Sequence, residues 1–156
     1  MSGNQPGVQD RRTAPHGRQR LTLDIERVLG LSARQAIRAE FRYDPALPLT
    51  VSVEFLSEGG PRVLWRIGRD LLQQGLYAMS GLGDVQMWPS NLGEGATARL
   101  QLASRDMAAL FELPIPPLAA WLEHTYSLVP AGQELAGVDW DVTTADLLHG
   151  PVEPSE

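Results

Sequence analysis

The sequence predicts an α+β domain: two antiparallel meanders joined by a short helical turn and followed by a helix. Three observations predict it. Residues 49–55, LTVSVEF, alternate apolar and polar side chains with a period of two, as a strand with one buried face does. Residues 63–90 alternate, break into a short turn, cross a glycine-rich stretch and alternate again. Behind Pro114, Pro116 and Pro117, the side chains Leu118, Trp121, Leu122 and Thr125 fall at i, i+3, i+4 and i+7. That spacing is one face of a helix, and proline suits its first turn.

The elements follow in order. Residues 1–20 are rich in Gly, Pro, Gln and Arg, lack periodicity and read as a disordered basic arm. Leu21, Leu23 and Ile25 begin the first strand. Ile37, Ala39, Phe41 and Tyr43 form the second, although Ala, Arg and Gln over 32–40 also favour a helix. Asp44-Pro45 and Leu47-Pro48 turn into the strand at 49–55. Glu58-Gly59-Gly60-Pro61 is hairpin chemistry leading to Val63, Trp65 and Ile67. Asp70 and Gln73 have capping-box spacing, and Gly75 stands where a C′ glycine would stop a helix. Gly81 and Gly83 permit backbone angles that other residues resist. Val85 and Met87 alternate into Trp88, and Pro89 cannot donate to a ladder. Ala98, Leu100 and Leu102 form a further strand. Residues 107–113 suit strand or helix, with Met, Ala, Leu and Glu leaning to helix. The helix at 118–125 follows, and beyond it Thr144 is placed to cap a short helix holding Leu147 and Leu148. The chain divides into the arm at 1–20, a domain at 21–132 and an acidic, poorly ordered tail at 133–156.

Composition narrows the function. The chain has no cysteine, so disulfides and thiolate metal sites are excluded. No apolar run approaches the ~20 residues of a membrane span, and the N-terminus lacks a signal-peptide core, so a cytoplasmic protein is expected. All 13 basic residues are arginine, and the net charge is −6. Residues 21–132 carry nine arginines against twelve carboxylates, which argues against a dedicated nucleic-acid binder. His16, His124 and His149 lie in the arm, off the apolar face of the helix and in the tail, with no nucleophile set around them. Asp139 and Asp141 lack the other positions of a calcium loop, and without lysine no P-loop exists. No catalytic residue, cofactor or metal site is read from the sequence. Trp65 and Trp121 read as core, Trp88 as core or interface, and Trp140 between two aspartates as a docking element. Arg69 and Asp70 read as a capping and ion-pair feature, with partner contact as the alternative.

One ordered set of short motifs resembles the SsgA-like proteins, regulators of sporulation and cell division in actinomycetes. It comprises Tyr43-Asp44, Trp65, Arg69-Asp70-Leu71-Leu72, Gly75-Leu76, Gly81-x-Gly83-Asp84-Val85 and Trp88-Pro89, and the likeness runs over residues 21–130. The resemblance implies a strand at 107–113 and a whirly-like fold of two antiparallel sheets, four-stranded or similar, with a helical connector and a C-terminal helix. It further implies a homotrimer, with the apolar strands at 49–55 and 85–88 as surfaces open to sharing. The function implied is a non-enzymatic adaptor of sporulation-specific septation, recruited to division sites. Its partners would be cell-division proteins, such as the tubulin-like division GTPase or a paralogous SsgA-like protein. The rival reading is a single-stranded nucleic-acid binder, because whirly proteins bind DNA or RNA; such a binder needs a positive groove with stacking aromatics.

Overall fold

Among the described residues, seven antiparallel strands, numbered β1 to β7 along the chain with the ranges given below, form one sheet in the order β4-β3-β2-β1-β7-β6-β5. The structure is a computed structural model, and it describes residues 19–91 and 93–136. Residues 1–18 of the expected arm at 1–20, Trp140 and the stretch around Leu147 lie outside the described residues, while the last two residues of that arm, Gln19 and Arg20, begin the first strand. The strands are β1 (Gln19–Val28), β2 (Arg34–Tyr43), β3 (Thr50–Leu56), β4 (Arg62–Gly68), β5 (Val85–Asn91), β6 (Thr97–Ala103) and β7 (Ala108–Pro114). Among the described residues two helices join the sheet, α1 (Arg69–Gly75) between β4 and β5, and α2 (Ile115–Leu128) after β7.

The alternation in the sequence sets the two faces. Ile37, Ala39, Phe41, Val51, Val53, Leu100, Leu102 and Leu113 all turn to one concave face and are buried. The opposite face carries ion pairs, some across strands, such as Arg34 with Glu26 at 3.0 Å, and some within one, such as Arg42 with Glu40 at 2.6 Å. Such exposed pairs contribute little individually; their role here is to keep the convex face polar. β2 is a strand along its whole length, paired with β1 from Gln19↔Tyr43 to Val28↔Arg34. The helix alternative for 32–40 is overridden by that ladder from Arg34 onward. Residues 108–114 are likewise a strand, paired with β6 throughout.

The two meanders are not separate sheets. β1 meets β7 through two residue pairs, Glu26↔Glu112 and Arg27↔Phe111, so one sheet runs through both. The first meander has four strands and the second has three. The joint is clasped on the convex side by Arg34, whose Nη1 donates to Glu112 at 2.8 Å. On the concave side the rings of Phe55 and Phe111 stack with centroids 4.5 Å apart. Three strand spacings in a flat sheet would separate β3 from β7 by about 14 Å. The stack therefore requires a strongly curved sheet.

α2 lies in this concavity and buries Leu118, Trp121, Leu122 and Thr125, the four residues of the expected face. Trp121 meets Phe41 at 6.0 Å between ring centroids. His124 stays on the exposed side. Of the two surfaces expected to be shared between subunits, β3 is an inner strand with Val51, Val53 and Phe55 in the core. On the edge strand β5, Met87 is fully buried, while Val85 and Trp88 are half-buried.

Candidate functional site

The motif residues gather into two clusters at the end of the sheet where both helices meet it. The first is built around Arg69. This residue ends β4 and opens α1, and its backbone N–H donates to the Leu49 carbonyl at 2.9 Å. Its side chain is 1% exposed, so it is closed to any partner, which corrects the contact alternative raised by the sequence. The guanidinium Nη1 donates to the Thr125 carbonyl at 3.0 Å, and Nη2 donates to the Val129 carbonyl at 2.8 Å. A helix leaves its last carbonyls without internal partners and its C-terminal end partly negative. α2 has no basic residue in its last turn. Arg69 supplies from a different helix the cation that α2 lacks.

The same guanidinium pairs with Glu134 at 2.9 Å, and the two side chains are 1% and 9% exposed. It also lies 3.8 Å from the centre of the Tyr126 ring and 4.9 Å from that of Tyr43, where the π faces attract a cation. Each aromatic is held by its hydroxyl. Tyr43 donates to the Pro48 carbonyl at 3.1 Å, and Tyr126 donates to Asp70 at 2.5 Å. Burial raises the pKa of both hydroxyls, and for Tyr126 the Asp70 carboxylate raises it further, so both remain neutral donors. The Glu134 carboxyl is held below its ordinary range by its own backbone N–H and by Arg69. Glu134, assigned by charge to a loose acidic tail, is thus anchored to the domain.

Asp70 does not cap α1. The N-cap position is Gly68 without a side-chain bond, and the Asp70 carboxylate serves Tyr126 instead. Asp44 folds its own turn, accepting from the Ala46 N–H at 2.9 Å.

The second cluster packs α1 onto β5. Leu72 and Leu76 are buried, and Leu71 and Val85 pack against the same core. Gly75 does not act as a left-handed helix stop; it is the last helical residue, and Leu76 follows in a helical conformation. Glycine is needed there for closeness, because a Cβ would stand 2.5 Å from Cγ of Met87. Gly81 combines φ +94° with a Cβ position 2.3 Å from the Val85 carbonyl oxygen. That crossing lets Ser80 and Met87 exchange two backbone hydrogen bonds of 2.8 and 2.9 Å along the β5 edge. Asp84 is exposed, and its carbonyl accepts from the Ala103 N–H at 2.9 Å. Trp88 and Pro89 are half-buried on β5.

Trp65 belongs to neither cluster. It is half-buried and, with Val63, Phe55 and Phe111, lines a cavity of about 120 Å³ at the other end of the concave face. Between α1 and α2 runs an open groove that includes Asp70, Gln74, Tyr77, Glu123 and Tyr126. Tyr77, Met79 and Leu82 are exposed on the loop after α1. Sequence reasoning missed Tyr126, Glu134 and Met87 as partners of the motif residues. Only Glu134 carried a signal, as the first carboxylate beyond the helix.

No described helix is long and apolar enough to cross a membrane. Among the described residues no cluster of His, Asp and Glu is arranged to hold a metal ion.

Comparison with known proteins gives a consistent picture. The family model "Streptomyces sporulation and cell division protein, SsgA" matches residues 37–134, a span that holds every residue of both clusters. The sporulation-specific cell division protein SsgB of Salinispora tropica is 41% identical over 135 residues, covering 83% of this chain and 94% of its own. SsgB of Streptomyces coelicolor is 32% identical over 126 residues, covering 81% of this chain and 92% of its own. In three dimensions the chain resembles the crystal structure of an SsgA-like sporulation-specific cell division protein from Thermobifida fusca. The TM-score is 0.74 at 29% identity, over 85% of this chain and 96% of that one.

Proposed function

Because this chain belongs to the SsgA family of sporulation and cell division proteins, we propose that it acts in sporulation-linked septation as a non-enzymatic adaptor, working through protein–protein contacts. The observation that carries this reading is the family match over 37–134, which includes the Arg69 and Gly75 clusters that build the helix-bearing end. The clusters themselves are buried and serve the fold. The contacts fall to the surface they shape, the groove between α1 and α2 with Tyr77, Met79 and Leu82 beside it. Aromatic and methionine side chains on such a surface are suited to protein partners. Trp140 is a second candidate docking element, on sequence grounds. The partners in this reading are cell-division proteins, the tubulin-like division GTPase or a paralogous SsgA-like protein. The chain would assemble as a homotrimer of whirly-like subunits in the cytoplasm and move to septa.

The test is a fluorescent fusion together with a deletion in a sporulating host. The expected result is foci or ladders at division sites and altered septum number or spacing on deletion. A fusion that stays diffuse, with septa unchanged by the deletion, would overturn the reading.

A further inference from the structure

The sheet has two edges, and they are built differently. On β5, Pro89 removes a donor, the register shifts between Pro89 and Asn91, and Ser80 occupies the edge at Met87. These are the ordinary ways of blunting an edge strand. β4 has none of them. Its seven residues carry no proline and no bulge, and among the described residues the strand pairs only with β3. Leu64 on its convex face is 54% exposed. The cavity lined by Val63 and Trp65 opens beside it on the concave face.

The charges that β4 itself carries have one sign. β4 contributes Arg62 and Arg66 to the convex face and no carboxylate. The facing carboxylate, Glu54, is already engaged by Arg42 and Arg62, each at 3.6 Å. Arg27 lines the cavity on the other face and has no acidic partner among the described residues.

We infer that the β4 edge is a strand-addition site for an extended acidic segment of a partner protein. The segment would place apolar side chains toward Trp65 and its cavity and carboxylates toward Arg62 and Arg66. Main-chain hydrogen bonds to an open edge supply affinity, and alternate side chains supply specificity. This inference rests on the adaptor reading only in taking the occupant to be a protein.

The test uses the full chain and two synthetic peptides as long as β4, one alternating aspartate with valine and one alternating lysine with valine. Binding is followed by titration calorimetry, and its place by amide hydrogen exchange. The aspartate peptide should bind and slow exchange in β4. Arg62→Glu with Arg66→Glu, both at exposed positions, should leave the circular dichroism unchanged, weaken the aspartate peptide about tenfold or more, and favour the lysine peptide. The inference is overturned if neither peptide binds, if both bind alike, or if protection arises elsewhere. It is also overturned if β4 is already protected in a concentration-dependent way, which would give the edge to a second copy. Septum phenotype plays no part in this readout, so strand addition and the adaptor role can fail separately.

Discussion

Arg69 and Glu134 form an ion pair of 2.9 Å across 65 residues of chain, and both side chains are almost closed to solvent. Burying two charges has a large desolvation cost, offset here by carbonyls and by aromatic faces. The pair joins three parts of the fold: the start of α1, the end of α2 and the segment after it.

Arg69→Ala should therefore destabilise by about 1–3 kcal/mol or more, because it leaves the Thr125 and Val129 carbonyls without the guanidinium that bonds them. Arg69→Lys should recover little, since an ammonium cannot reach two carbonyls and a carboxylate with the same fork. Chemical denaturation of the two variants measures both. A variant as stable as the wild type would show that the guanidinium carries no structural role.

Stability should fall in acid through this pair. The folded-state pKa of Glu134 is depressed, so its contribution is fully present above the unfolded pKa of about 4.3 and is lost as pH falls through the lower folded value. Glu112 behaves alike. Burial alone would raise it, but hydrogen bonds from Thr97 and Arg34 outweigh burial and lower it. Denaturation midpoints measured from pH 7 down to about pH 3 should decline below this range. Glu134→Gln should show a shallower decline.

The glycines should rank by contact. Gly75→Ala meets Met87, and Gly81→Ala meets the Val85 carbonyl at a positive φ; each should cost about 1–3 kcal/mol or more. Gly83 has φ +74° but open space around its Cβ position, so Gly83→Ala should cost about 1 kcal/mol. Met87→Ala should not rescue Gly75→Ala, because the Met87 Cβ that alanine keeps also stands 2.6 Å from the added Cβ. Thermal melts of the series test the order.

Light scattering on the purified protein should give three times the 17.1 kDa chain mass if the trimer proposal holds. A monomer at micromolar concentration would remove it.

Single-stranded DNA or RNA should bind, if at all, only at low salt and only through the arginines of residues 1–20. Such phosphate contacts weaken steeply as salt rises toward about 0.2 M. Binding that resists salt and survives removal of the arm would favour the rival class.

Most strands and α2 were legible because their side chains alternate or stripe against a core. The strand at 107–113 was ambiguous because its composition favours a helix, and only pairing with β6 decides it. The single sheet was not legible. Two residue pairs join β1 to β7, and neither Glu26↔Glu112 nor Arg27↔Phe111 has a local signature. At the site, the Arg69-Asp70 motif stood out, but its side-chain hydrogen-bond partners lie over 50 residues away, so its burial could not be read from neighbours. The glycines had the converse problem. Gly81 is explained by φ, whereas Gly75 answers to Met87, a contact that no local rule contains.

The narrow joint between the meanders bears on how the chain folds as it is synthesised. Each meander closes through adjacent hairpins, and such local contacts form quickly. The clasp between Arg34 and Glu112 spans 78 residues, and the bond from Arg69 to Glu134 must wait for almost the last described residue. β1 to β4 can therefore pair while the ribosome is still making the second half. Until residue 134 emerges, the Arg69 guanidinium lacks its counter-ion and α2 lacks its cap. A ribosome stalled shortly before that point should hold a nascent chain with paired hairpins and an undocked C-terminal helix, which a protease would cleave first between the two.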